Sequence, residues 1–321
     1  MENEEKEIEV TKDMVTKHTQ FIAIEGVDCT GKGSITDLIE RMGVGIEGVK
    51  TKRVDFPQYD LPSGQMILNY LNGKYGDPAA LLESVPEDSP EKWLSMVSGR
   101  ANNMMKQINF IASLYSLNRI EYFMLNEPEP NTVYVFDRYM YSNAVHQLSL
   151  LFDFYRHRQG SKLIESYWVM ANDMRRNQRL PFNEFHQAYI NDLLGTTYGE
   201  WVQHEVDLGV PMAFEIILTL DRFSVFERLK KRKNNKHAGV DILEEHPAIT
   251  RACNFVSEYS DFAMTNGVVD FDVKECNEDN KLIAQSIIEL YKAFLANGVT
   301  PETVPDFIRA TNLEDDEDIE E

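Results

Sequence analysis

FIAIEGVDCTGKGS, residues 21 to 34, runs from an apolar stretch into a glycine-bounded loop and then into a helical pattern. The run Gln20–Glu25 predicts a strand, and a helix is expected from Lys32. Gly26, four further residues and then Gly31-Lys32 match a phosphate-binding loop in that context. Gly26 and Gly31 allow backbone angles that turn successive N–H groups toward one anion. Cys29 and Thr30 complete the loop, the helix N-terminus adds a favourable dipole, and Lys32 would reach the outer phosphates. One position breaks the pattern. Gly33 stands where a Ser or Thr hydroxyl normally holds Mg²⁺, and Ser34 comes one residue late. Adjacent helical residues point about 100° apart, so Ser34 serves only if the loop shifts. Asp28 in the loop and Asp137 further along are the other candidate ligands.

Four more short β-rich runs follow: Thr51–Asp55, Thr132–Asp137, Phe214–Leu220 and Val268–Phe271. Helix-period segments separate them. Ile35, Leu38, Ile39 and Met42 predict one buried helical face; Phe255, Val256, Tyr259 and Phe262 predict a second. Ile283, Ile287, Tyr291 and Phe294 predict a third. Strands alternating with helices imply an α/β fold with a parallel five-stranded sheet covered on both faces. Residues 76–103 and 150–207 interrupt the rhythm and read as helical or turn-rich insertions on one domain spanning 18–298. An acidic extension, 1–17, and an acidic tail, 299–321, flank it.

The formal charge is −21, with about half of the excess in the two ends. An acidic chain argues against a general nucleic-acid binder, which presents a basic face. No run approaches the roughly 18 apolar residues of a membrane span. The acidic N-terminus resembles neither a secretory signal nor a transit peptide. Cys29, Cys253 and Cys276 are odd in number and scattered, which suits a reducing cytoplasm. No Cys/His cluster has zinc spacing.

Other residues carry chemistry by position. Arg138 follows a strand's carboxyl end, where ligands bind in open α/β sheets, and its planar fork suits a phosphate. Tyr115 and Arg119 are four apart and share a helical face. By spacing alone they read as a core aromatic beside a surface arginine. Asn143 offers a carboxamide able to pair with a donor and an acceptor, or a helix cap. Phe56-Pro57 ends the second strand. Arg228 and Arg232 share a face and Lys236 follows; packed like charges disfavour a helix unless an anion relieves them.

Taken in order, these segments resemble the thymidylate kinases. The matching pieces are the phosphate loop; DFPQYDLPSGQMILNYLNG, residues 55–73; LYSLNRIEY, residues 114–122; FDRYMYSNAVHQ, residues 136–147; and LTLDRFSVFERLKKRKNNKHAGVDILEEH. The resemblance implies a P-loop three-layer fold with a lid, and ATP-dependent phosphorylation of dTMP to dTDP with Mg²⁺. It implies that Lys32, Arg138, Arg232 and Asp28 act at the transferring phosphoryl group. ATP would lie on Gly26 and Cys29–Ser34, with Arg228 and Lys236 from the lid side. The acceptor would be held by Asp28, Phe56, Pro57, Tyr59, Tyr115, Arg119, Arg138, Asn143, His146 and Gln147. Ser34 and Asp137 are the expected metal ligands. A cytoplasmic homodimer with no nucleic-acid or membrane partner is also implied.

The sequence departs from the family at Gly33, at Gln58 where many relatives have arginine, and at His146 where bacterial relatives have tyrosine. Ala213 and Ile242 differ too, and Cys29 stands where one branch carries a loop arginine. Another deoxynucleoside monophosphate or a nucleoside is therefore an alternative acceptor, and a non-catalytic nucleotide-binding scaffold is the alternative of a different class. Ala238 stands where a guanine-reading N-K-x-D motif needs its aspartate.

Overall fold

The computed structural model describes residues 9–76, 82, 89–174, 181–234, 246–258, 267–276 and 279–308. Five strands form one sheet: β1 (Phe21–Gly26), β2 (Lys50–Asp55), β3 (Thr132–Asp137), β4 (Phe214–Thr219) and β5 (Val268–Asp272). Their order is β2-β3-β1-β4-β5, and every pairing is parallel. The expected α/β architecture and all five strand positions hold. β1 is buried along its whole length, as the central strand of a sheet covered on both faces must be. β2 lies at an edge: Lys50, Lys52 and Asp55 are exposed, Thr51 and Arg53 are partly covered, and Val54 is buried.

One face of the sheet is covered by α1 (Lys32–Met42) and α10 (Asn280–Ala296), which bury Ile35 and Ile39 against Ile283, Ile287, Tyr291 and Phe294. Met42, expected on that face, is 39% exposed because α1 ends there at Gly43 and the chain turns away. The other face carries α2 (Pro62–Leu71), α3 (Pro90–Leu125), α4 (Tyr141–Asn143) and α5 (Ser149–Arg156). It also carries α6 (Arg158–Met174), α7 (Phe182–Asp207), α8 (Arg222–Asn234) and α9 (His246–Glu258). A π-helical stretch, Ala144–Leu148, links α4 to α5.

Much of 76–103 and the segment bearing Tyr115 are one element, since α3 is a single helix of 36 residues. The described residues of 150–207 lie almost entirely in α5, α6 and α7, and Ile190, Leu194 and Tyr198 of α7 join the main core. Residues 299–308, acidic by neighbourhood, fold back on the body: Val299 and Val304 are buried and Phe307 meets Phe294 edge-on. Tyr259, Phe262, Lys236 and the rest of 235–245 lie outside the described residues.

Candidate active site

The glycine-bounded loop between β1 and α1 closes on itself. Lys32 is buried and its Nζ donates to the carbonyls of Gly26 (2.8 Å) and Val27 (2.7 Å). A carbon at Gly26 would lie 2.6 Å from the Leu218 carbonyl of β4, so only glycine fits there. Gly31 caps α1 with φ of 105°, and Cys29 also takes a left-handed φ of 69°. Arg228 of α8 donates from Nη1 to the Cys29 and Thr30 carbonyls, 3.3 and 3.2 Å away, tying that helix to the loop. Burial pushes the Cys29 thiol up, against Arg232 beside it, so it is no activated nucleophile.

Beside the loop is a cavity of about 150 Å³. It gathers Asp28, Phe56, Pro57, Tyr59, Tyr115, Arg119, Arg138, Asn143, His146, Gln147 and Arg232, together with Leu71, Tyr139 and Ser142. Every residue the sequence proposes for the acceptor reaches this one space, from β1, β2, α3, β3 and the α4 region. Arg232 is exposed at its rim.

Arg138 adopts φ of 70°, unusual for a residue with a side chain. Buried acids hold the backbone that follows it. Glu25 accepts from the Tyr139 N–H at 2.7 Å and from the Ser142 hydroxyl; Glu215 accepts from the Met140 N–H at 3.2 Å and the Tyr198 hydroxyl at 3.2 Å. Burial pushes both carboxyls upward, and for Glu215 the charge of Glu25 adds to it. Arg119 Nη1 donates to the Tyr139 carbonyl at 3.0 Å. Its remaining nitrogens go to Glu205 of α7, 2.6 Å from each carboxylate oxygen. Arg119 lines the cavity, but its charge is already paired.

The electrostatics are concentrated. Arg138 pairs with Asp28 through Nη2 and reaches His146 Nε2 at 3.2 Å. Burial disfavours the Asp28 carboxylate, yet Arg138 and Lys32 hold its pKa well below the usual range. Burial lowers Lys32 to about 8, helped by the nearby Arg138 charge and opposed by Asp28, Asp137 and Glu25. His146 is pushed down to about 4, mainly by burial, and is a neutral imidazole at pH 7. Asn143 Nδ2 and Gln147 Oε1 are buried and, among the described residues, have no hydrogen-bond partner. An unpaired donor and acceptor four residues apart, lining a cavity, are groups a ligand would satisfy.

Gly33 has a tertiary explanation. A carbon there would lie 2.9 Å from Asp137 Oδ2 and 3.6 Å from Arg53 Nη2. Ser34 is exposed. Among the described residues no group of three or more His, Cys, Asp or Glu side chains is placed to hold a metal. Asp137 fits as a single protein ligand, and the phosphates of a nucleotide and water would supply the rest of a Mg²⁺ shell.

Sequence reasoning did not find Glu25, Glu205, Glu215 or Arg53. Glu25 and Glu215 had a signal: each is a carboxylate inside an apolar strand, FIAIEG and FEIILT. Glu205 and Arg53 had none.

No helix among the described residues is long and apolar enough to cross a membrane. No family model matches the sequence, and no curated protein matches it. Among solved structures, a thymidylate kinase from Candida albicans aligns with 87% of this chain and 93% of its own, at 16% identity and a TM-score of 0.47.

Proposed function

We propose that this chain is a nucleoside monophosphate kinase that uses ATP to convert dTMP to dTDP. The carrying observation is the single cavity in which Asp28, Arg138, His146, Asn143, Gln147 and Tyr115 meet beside the Lys32 loop. Phosphoryl transfer asks a protein mainly for positioning and charge neutralisation. Lys32 leaves the Gly26 and Val27 carbonyls to meet the donor's outer phosphates. Arg138 exchanges Asp28 for the acceptor's phosphate, leaving Asp28 to the sugar. Arg232, with Arg228 holding the loop, closes charge over the donor, and Lys236 would join from the lid. Asp137 would hold Mg²⁺, which would supply further charge screening at the donor phosphates. The acceptor phosphate is already ionised at neutral pH, so no strong general base is needed.

Asn143 and Gln147 supply the base reading. Nδ2 can donate to a base carbonyl and Oε1 can accept from the neighbouring ring N–H, with Tyr115 and Phe56 at the flat faces. Thymine presents that edge. Guanine presents a carbonyl beside a ring N–H as well, so the same pair supports dGMP as the second reading. ADP release measured across dTMP, dGMP, other monophosphates and nucleosides tests this. Activity confined to nucleosides, or nucleotide binding with no transfer, would overturn it.

Self-association and action in the cytoplasm belong to the same reading. Met96, Phe110, Leu117 and Met124 are exposed along α3, at spacings of seven or fourteen residues. Sedimentation at micromolar concentration tests the dimer.

A further inference from the structure

Arg53 comes from the edge strand β2, yet it reaches the place the missing hydroxyl would occupy. Its Nη1 donates to the Gly33 carbonyl at 3.0 Å, and its Nη2 lies 3.5 Å from Asp137 Oδ2. Its Nε donates to Asp55 Oδ1 at 2.6 Å. The backbone is anchored too, since the Arg53 N–H donates to Glu40 Oε1 of α1 at 2.8 Å. One guanidinium therefore spans the first turn of α1, the end of β2 and the end of β3. Its side chain is only 24% exposed.

We propose that Arg53 is a positioning residue which, with Gly33, replaces the loop hydroxyl. Gly33 removes the side chain that would occupy the space, and Asp137 moves into contact with the loop. Arg53 then fixes the Asp137 carboxylate there and ties it to the loop backbone. The inference rests on the phosphate-loop reading and goes beyond it. A hydroxyl in the loop would be a metal ligand carried by the loop itself. Here the ligand comes from a neighbouring strand, and its place is set by a second strand. A planar fork with several donors can hold two acceptors at fixed angles, which a lysine cannot. Groups that orient a metal ligand in this way commonly matter as much as about tenfold or more in metal affinity.

The test uses the full chain and Mn²⁺ with ADP, reading free Mn²⁺ by electron paramagnetic resonance and metal-free ADP binding by calorimetry. Arg53→Gln should weaken Mn²⁺ retention in the ADP complex by about tenfold while leaving metal-free ADP binding within about twofold. Arg53→Lys should fall between, because it keeps the charge and loses the fork. Gly33→Ala is the control for folding. It gains helix propensity and should not lower the melting temperature, but its β-carbon displaces Asp137, so Mn²⁺ retention should fall. Unchanged Mn²⁺ retention in both Arg53→Gln and Gly33→Ala overturns the proposal. So does an equal loss of metal-free ADP binding, which would mark a merely structural role. If the wild-type chain binds no ADP, the phosphate-loop reading itself fails, a result distinct from either of these.

Discussion

Glu205 grips Arg119 with both carboxylate oxygens, each 2.6 Å from a guanidinium nitrogen, across 86 residues of sequence. Both side chains are almost fully buried, at 2% and 1% exposed. The pair ties α7 to α3, and through the Tyr139 carbonyl it steadies the backbone beside Arg138. An arginine that spacing alone reads as a surface residue is thereby a buried, paired cation at the wall of the cavity.

Glu205→Ala leaves Arg119 buried and unpaired, and should cost about 3–5 kcal/mol of stability in urea unfolding. Replacing both partners, Arg119→Met with Glu205→Leu, should recover most of that loss, because two apolar side chains need no charge partner. A double variant no better than Glu205→Ala would mean that the carboxylate matters for something besides pairing.

Lys32→Met should lower phosphoryl transfer by roughly 100-fold or more, the scale of a lost charge-stabilising donor. Full transfer by that variant would sink the proposed site. The pH dependence has a definite sign. With Lys32 at about 8 rather than 10.5, its charge is lost as pH rises through about 8, so affinity for ATP should decline above that point. The native state binds fewer protons than the unfolded chain between these values, so this group makes stability rise with pH from about 8 to 10.5. Titrating ATP affinity in wild type and Lys32→Arg separates the two effects.

His146 should stay neutral down to about pH 4, visible as an imidazole resonance that titrates well below the usual 6.5. Its folded value lies below its unfolded one, so the native state binds fewer protons in between. Stability should fall as pH drops from about 6.5 to about 4, and His146→Gln should flatten that part of the profile. An imidazole titrating near 6.5 would contradict the buried contact with Arg138.

Asn143→Ala and Gln147→Ala should each raise the KM for the acceptor by about tenfold or more, as loss of a base-reading hydrogen bond does, and leave the KM for ATP unchanged. Equal changes for both substrates would assign these amides to folding instead of recognition.

Glu25→Ala removes the acceptor for the Tyr139 N–H and the Ser142 hydroxyl, and should cost about 1–3 kcal/mol for each donor left buried and unpaired. Because those donors shape the loop that carries Arg138, the acceptor KM should rise along with the loss of stability. A stable variant with unaltered kinetics would show that the left-handed Arg138 needs no such support.

The strands, the glycine-bounded turn between β1 and α1 and the order of the segments that line the cavity could be read from the chain, because each depends on neighbours within a few residues. Alternation along a strand, recurrence every three or four residues in a helix, and the angles open to Gly26 and Gly31 are local properties. The same spacing placed Tyr115 with Arg119 and placed Arg138 just past β3, and all three line the cavity. It erred at Met42, where a helix end escapes the face its period suggests. What packing alone decided is which charges meet. Nothing near Arg119 in sequence names Glu205, which comes from α7, and although Asp137 could be proposed as a ligand, nothing near Gly33 names Arg53, which comes from the edge strand. A side chain's partner depends on which surfaces the fold brings within a few ångströms, and that is a property of the packed sheet and helices together. The opening irregularity at Gly33 is of this kind: in sequence it is a missing hydroxyl, and in the folded protein it is the space an aspartate needs.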